Sequence, residues 1–186
     1  MKFKNCLNKF VRPKTKAELI YIIDKTIKEQ GLNCDLNFID TSKITEMSGL
    51  FADSEFTGDI SNWNVSNVED MSWMFRRSGF NGDISNWDVS NVRDISGMFF
   101  NSNFNSDISK WNVSKVKDME WMFSGSAFNG DISKWNVSNV KYMTSMFKGS
   151  KFNGDISNWD VSNVEEMKNM FLGSPLEGNE PDWYNE

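Results

Sequence analysis

Apolar positions return at a single interval along most of this chain. Ile60, Ile84, Ile108, Ile132 and Ile156 stand 24 residues apart, as do Trp63, Trp87, Trp111, Trp135, Trp159 and Trp183. One phenylalanine column runs Phe51, Phe75, Phe99, Phe123, Phe147, Phe171. A second runs Phe56, Phe80, Phe104, Phe128, Phe152, with Leu176 completing it. Aspartate keeps the same step at Asp35, Asp59, Asp83, Asp107, Asp131 and Asp155, and Leu36 stands in for the first isoleucine. The unit reads D-I-S-N/K-W-N/D-V-S-N-V-x-x-M-x-x-M-F-x-x-S-x-F-N-G. A fixed period of this length signals short coils that bury their apolar residues only by stacking on one another. The pattern predicts an N-terminal arm and capping helix over residues 1–34, six coils over 35–178, and a partial repeat over 179–186.

Two shorter periodicities lie inside each unit. Trp63, Asn64 and Val65 alternate apolar, polar, apolar, which predicts a short strand. Val68, Met71, Met74 and Phe75 fall on one face of a short helical or 3₁₀ turn. Ser66 with Glu69, and Ser162 with Glu165, have capping-box spacing ahead of that turn. Asn81 and Gly82 predict a coil-closing turn that uses glycine's backbone freedom. Ahead of the repeats, residues 15–30 predict a helix. Thr15 and Glu18 form its capping box, Leu19, Ile20, Ile22, Ile23 and Ile27 its apolar face, and Gly31 its stop. At the far end Glu180 and Asn185 replace apolar column residues, as a terminal repeat with a polar outer face requires.

The pattern I-x-x-W-x-V occupies the place of L-x-x-L-x-L in leucine-rich repeats. With V-x-x-M-x-x-M-F following, the chain resembles the BspA-like leucine-rich-repeat proteins of bacterial surfaces. That resemblance implies an α/β repeat. It would be a right-handed leucine-rich-repeat-like solenoid with short parallel strands on one face, short helical turns on the other, and an N-terminal α-helical cap. The function it implies is binding of an unspecified partner.

Composition narrows the chemistry. The chain has no histidine, which removes the usual general base and the commonest metal ligand. No nucleophile elbow, phosphate loop or dinucleotide fingerprint occurs. Glu69 with Asp70, and Glu165 with Glu166, occupy variable positions and read as solvated acids. The aspartate column invites comparison with calcium-binding β-rolls. It lacks a second acidic ligand at a fixed offset, so a bond from each carboxylate to the backbone of its own turn is the expected role. These features lead to the expectation of a non-enzymatic protein with no metal and no cofactor. Cys6 and Cys34 are isolated thiols without metal-ligand spacing. The basic N-terminal stretch lacks the apolar core of a leader, so a reduced cytoplasmic setting and no membrane contact are expected. Residues 1–33 carry eight Lys or Arg against three Asp or Glu, whereas residues 34–186 carry 12 against 23. So acidic a body is not expected to bind nucleic acid directly.

Two surfaces remain as candidates. On the predicted concave face one column reads Asn62, Asn86, Lys110, Lys134, Asn158. Its neighbour reads Asn64, Asp88, Asn112, Asn136, Asp160. These columns suit either stacked amide ladders or a polar partner. On the convex side the column Gly49, Trp73, Gly97, Trp121, Ser145, Asn169 offers two indoles. They serve either as exposed anchors flanked by Arg76 and Arg77, or as lids over the glycine of a neighbouring coil. The expected function is a monomeric protein-binding module using one of these surfaces to hold another protein. One alternative is an acidic inhibitor of phage or mobile-element type that fills the basic groove of a nucleic-acid-binding enzyme. A second is a bacterial surface adhesin segment.

Overall fold

The computed structural model describes residues 10–185, so Cys6 and most of the basic N-terminal stretch lie outside the described residues. Helix α1 spans Lys16–Gln30. Thr15 caps it, its Oγ1 accepting the Glu18 N–H at 3.2 Å. Glu18 reaches back one residue further than a capping box would, and accepts the N–H of Lys14 at 2.7 Å. Gly31 ends the helix at φ 92, its N–H donating to the Ile27 carbonyl. Leu19 and Ile23 are buried and Ile22 and Ile27 pack beside them. Ile20, expected in that face, is 37% exposed; one residue on from Leu19 it is turned about 100° out of the stripe. Lys16 ties the helix to the first coil through Glu46 at 2.5 Å and Ser48 at 2.7 Å. Ahead of α1, Val11 pairs in parallel with Ile39, and Arg12 pairs with Asp40.

From Glu46 onward, consecutive 24-residue coils are joined by single parallel bridges. These link Glu46 to Asp70, Asp70 to Asp94, Asp94 to Asp118, Asp118 to Tyr142, and Tyr142 to Glu166. Around each bridge, alternate N–H groups donate to the next coil. Met71, Trp73, Phe75 and Arg77 donate to the carbonyls of Asp94, Ser96, Met98 and Phe100 at 2.7–2.9 Å. Between these donors run tight turns inside the coil, such as Met74 to Met71 and Arg76 to Trp73. The backbone ladder thus occupies the segment whose 68, 71, 74, 75 spacing predicted a helical turn. Residues 63–65, predicted as a strand, instead sit between two tight turns, closed by the Trp63 N–H on Ile60 and the Val68 N–H on Val65. The apolar spacing reports correctly which side chains face inward. It does not distinguish a helix from a chain of turns that wraps the same core.

A backbone built from turns leaves many N–H groups without a ladder partner, and buried ones need an acceptor. The repeated polar residues supply it. In the coil that begins at Asp59, Asp59 accepts the Ser61 N–H at 2.9 Å, Asn64 the Ser66 N–H at 3.1 Å, and Asp70 the Ser72 N–H at 2.8 Å. Ser78 Oγ accepts the Phe80 N–H at 3.0 Å. The aspartate column makes the same bond at Asp35, Asp83, Asp107, Asp131 and Asp155, as expected of a turn-forming carboxylate. Ser66 directs both its N–H and its hydroxyl to Asn64, and it caps no helix. Gly82 also differs from expectation. It is absent from the positive-φ residues, but a Cβ there would lie 2.8 Å from the Phe80 ring. Glycine is needed at that point for ring clearance rather than for backbone conformation.

Inside, the Phe51 column stacks at 5.6–5.9 Å between ring centroids, and the Phe56 column at 6.2–6.5 Å. Each indole N–H crosses to the preceding coil. Trp63, Trp87, Trp111, Trp135, Trp159 and Trp183 donate to the carbonyls of Leu36, Ile60, Ile84, Ile108, Ile132 and Ile156 at 3.0–3.2 Å.

Trp111→Phe removes one such bond and part of the ring volume while keeping an aromatic contact. The expected loss is about 1–2 kcal/mol in denaturant unfolding, and an unchanged midpoint would show that these bonds are dispensable. Asp118 gives a second test. Burial, with Asp94 and Glu120 adding to it, pushes its carboxyl up to about 6. The folded chain therefore binds a proton between the ordinary carboxylate range and pH 6 that the unfolded chain releases. Stability attributable to this group falls as pH rises through that window. Asp118→Asn retains an acceptor for the Glu120 N–H without the charge. It should add about 1 kcal/mol at pH 7, after discounting for solvent screening, and nothing at pH 4.

Candidate binding surfaces

The two polar columns differ in how committed they are to the fold. Asn62, Asn86, Lys110, Lys134 and Asn158 are exposed, and their side chains hold no hydrogen bond or ion pair with other described residues. Bonds from Ser109 and Ser133, helped by Lys110 and Lys134, hold Asp107 and Asp131 below the ordinary carboxylate range. Asn64, Asp88, Asn112, Asn136 and Asp160 are equally exposed. Each, however, has one oxygen engaged by the N–H of the serine two residues on, at 3.1–3.2 Å. The second column therefore shapes turns, and only the first is uncommitted. Asparagines do link coil to coil, but in another column and through backbone N–H groups donating to side-chain oxygens. The Asn105 N–H donates to Asn81 Oδ1, Asn129 to Asn105 and Asn153 to Asn129.

The indole column is a backbone feature as much as a side-chain one. Gly49, Trp73, Gly97, Trp121, Ser145 and Asn169 have φ of 61, 58, 58, 60, 56 and 57. All six are left-handed. Glycine and asparagine suit that conformation, whereas a bulky side chain there costs about 1 kcal/mol or more. Trp73 and Trp121 hold it nonetheless.

Their surroundings explain part of this. A Cβ at Gly97 would stand 2.2 Å from Cε3 of Trp73, so Trp73 does lie over the glycine of the next coil. Trp121 has a different neighbour in its column, Ser145, and its ring contacts are elsewhere. Phe100 lies edge-on between the two indoles, 5.9 Å from Trp73 and 6.1 Å from Trp121. Lys148 Nζ is 5.9 Å from the Trp121 ring centre, within cation–π range. All three rings remain partly open to solvent. Arg76 and Arg77 both turn to Asp53, at 2.6 and 3.1 Å. They brace the edge of this surface by sharing one carboxylate, so both are paired while the cluster keeps one net positive charge. Phe100 was not among the residues anticipated. Its signal was the column Ala52, Arg76, Phe100, Ser124, Lys148, Leu172, whose chemistry varies beside the left-handed positions.

Of the paired acids, Glu69 is exposed beside Arg93 at 3.5 Å, and Asp70 is engaged in a turn. Among the described residues no group of three or more Cys, Asp or Glu is placed to hold a metal ion. No described helix is long and apolar enough to cross a membrane. Cys34 is buried, and burial pushes its thiol up.

No curated protein and no solved structure matches the chain. A family model does, over residues 23–127 and again over 80–183. These two overlapping matches cover the end of α1 and every repeat, and the chain belongs to the family described as "Mycoplasma protein of unknown function, DUF285".

Proposed function

We propose that this chain is a non-enzymatic protein-binding module, a right-handed leucine-rich-repeat solenoid of the BspA-like kind. In this reading the edge formed by Trp73, Phe100 and Trp121 is its contact surface. One observation carries the reading. Two indoles are kept in a left-handed backbone conformation that glycine serves at lower cost one coil away, and they are partly exposed around a third ring. Strain retained at a surface position points to a role outside the fold. Half-buried tryptophan is the side chain most often found at the energetic centre of protein interfaces. The 24-residue period and the parallel bridges between coils support the solenoid assignment.

Replacing Trp73 or Trp121 by glycine separates fold from function. Relief of backbone strain offsets lost ring contacts, so stability should change by less than about 1 kcal/mol. Affinity for the partner should fall at least tenfold. A photo-crosslinker at position 100, used with proteins of the native host, identifies that partner. The crosslink should vanish in the Trp73→Gly, Trp121→Gly double variant. If it persists at full yield, this edge is not the contact.

A second reading, the acidic inhibitor, draws on a separate observation. Asp59, Asp83, Asp107, Asp131 and Asp155 form an exposed column with one carboxylate per coil. Bonds from the serine two residues on keep every one of them below the ordinary carboxylate range, and hence charged. On this reading, binding to a basic nuclease weakens steeply between 50 and 200 mM salt; a salt-independent affinity would rule it out.

A further inference from the structure

The column at positions 69, 93, 117, 141 and 165 reads Glu, Arg, Lys, Lys, Glu. Each of these N–H groups donates to the same column one coil back. Glu69 bonds to Thr45, Arg93 to Glu69, Lys117 to Arg93, Lys141 to Lys117 and Glu165 to Lys141, all at 2.7–2.9 Å. The side chains therefore leave a rigid ladder at intervals of about 5 Å. Like charges on neighbouring rungs repel, yet three cations stand in succession here. The outer two are answered by acids, Arg93 by Glu69 at 3.5 Å and Lys141 by Glu165 at 2.5 Å. Lys117, between them, has no ion pair among the described residues.

A fourth cation joins from the next column. There Asn67, Asn91, Asn139 and Asn163 donate their amide N–H to a serine carbonyl of the preceding coil at 2.7–2.9 Å. Lys115 interrupts that series. It replaces the inter-coil bond with a charge, and its ammonium donates to Asn91 Oδ1 at 2.7 Å. Arg93, Lys115, Lys117 and Lys141 line one open cleft of about 400 Å³. Residues 34–186 hold only 12 basic residues against 23 acidic, and four of the 12 converge here.

We propose that this cleft binds a linear acidic oligosaccharide, sulfated or carboxylated, with Lys117 as the central cation. Cations at rung spacing suit anionic groups repeated along a chain. The amide oxygens of Asn139 and Asn163, which accept no bond from other described residues, suit sugar hydroxyls. No aromatic side chain lines the cleft, so nucleobases would find no surface on which to stack. Glu165 sits at one end and competes with the ligand for Lys141. The site is separate from the indole edge and does not depend on the proposed protein contact.

Calorimetric titration of the whole chain with a heparin-derived hexasaccharide tests the proposal. Binding should be measurable at 50 mM salt and weaken steeply by 200 mM. Lys117→Glu should reduce affinity at least tenfold, and Glu165→Gln should raise it severalfold. Lys151→Glu, an exposed basic residue outside the cleft, should leave it unchanged, as should Trp73→Gly. The assignment fails if the hexasaccharide does not bind, if a neutral oligosaccharide of equal length binds equally well, or if Lys117→Glu has no effect. Tighter binding of a single-stranded oligonucleotide or an oligoglutamate of equal charge would also overturn it. Thermal midpoints of the variants confirm that any loss arises in a folded protein.

Discussion

The bond from each indole to the carbonyl 27 residues earlier is the constraint on which the register of the coils depends. Consecutive coils share one or two isolated bridges and a short run of alternating backbone bonds, so the buried side chains have to fix the register. A slip of one residue would carry Trp111 away from Ile84 and its ring away from Phe99, which lies 6.4 Å off. The indole therefore ties backbone register to side-chain packing. The phenylalanine columns hold the same register, with Phe75 stacked on Phe99 at 5.7 Å and the Trp87 ring 6.4 Å from Phe75. One coil alone satisfies none of these bonds, which is why the unit has to repeat.

The columns made the inside of this protein legible in the sequence, and far less of its backbone. Ile, Trp, Val, Met and Phe of the unit are buried in every central coil, and the aspartates form the turns expected of them. Residues 63–65 and 68–75 exchanged their expected roles because alternation and helical spacing both describe which side chains face a core. Neither specifies how the chain turns between them. The glycine after Asn81 was legible as a requirement but not as a reason, since the contact that demands it comes from its own coil's Phe80. For the surfaces, the variable column containing Trp73 and Trp121 was visible at once. Phe100 was not, because its place between the indoles follows from the turn geometry. Lys117 was visible as the middle of a column with Arg93 and Lys141 one period to either side; that it alone of the three lacks an acid partner among the described residues depends on side-chain reach.

Departures from the repeat carry the information about function. A position that every coil fills for the same structural reason says nothing about partners, whatever its chemistry. Trp73 and Trp121 depart by placing the least suitable residue where glycine or asparagine fits. Lys115 departs by exchanging the amide–carbonyl bond that four other coils make for an ammonium bond to Asn91, which brings an extra charge to the surface. Arg76 and Arg77 look like departures as well, but both side chains are tied to Asp53 within the fold, with one positive charge left over. The sorting rule is physical. A departure whose charge and surface are fully answered inside the fold is a local repair, and one that leaves charge or ring surface open to solvent is a candidate contact.

The charge of the body can be sorted by the same rule. Asp88 and Asp160 make the same turn bond as Asn64, Asn112 and Asn136, at the same 3.1–3.2 Å. The geometry at that column thus requires an acceptor and is indifferent to its charge. Where the acceptor is a carboxylate, bonds from Ser90 or Ser162 lower its titration. The stabilisation linked to that shift is present above the ordinary carboxylate range and disappears as pH falls through the lowered value. An asparagine there holds its turn at any pH. Acidity at this column is therefore not something the fold demands, and it can vary without disturbing the coils. The electrostatic face presented to a partner is set by which of two interchangeable turn-formers each coil carries.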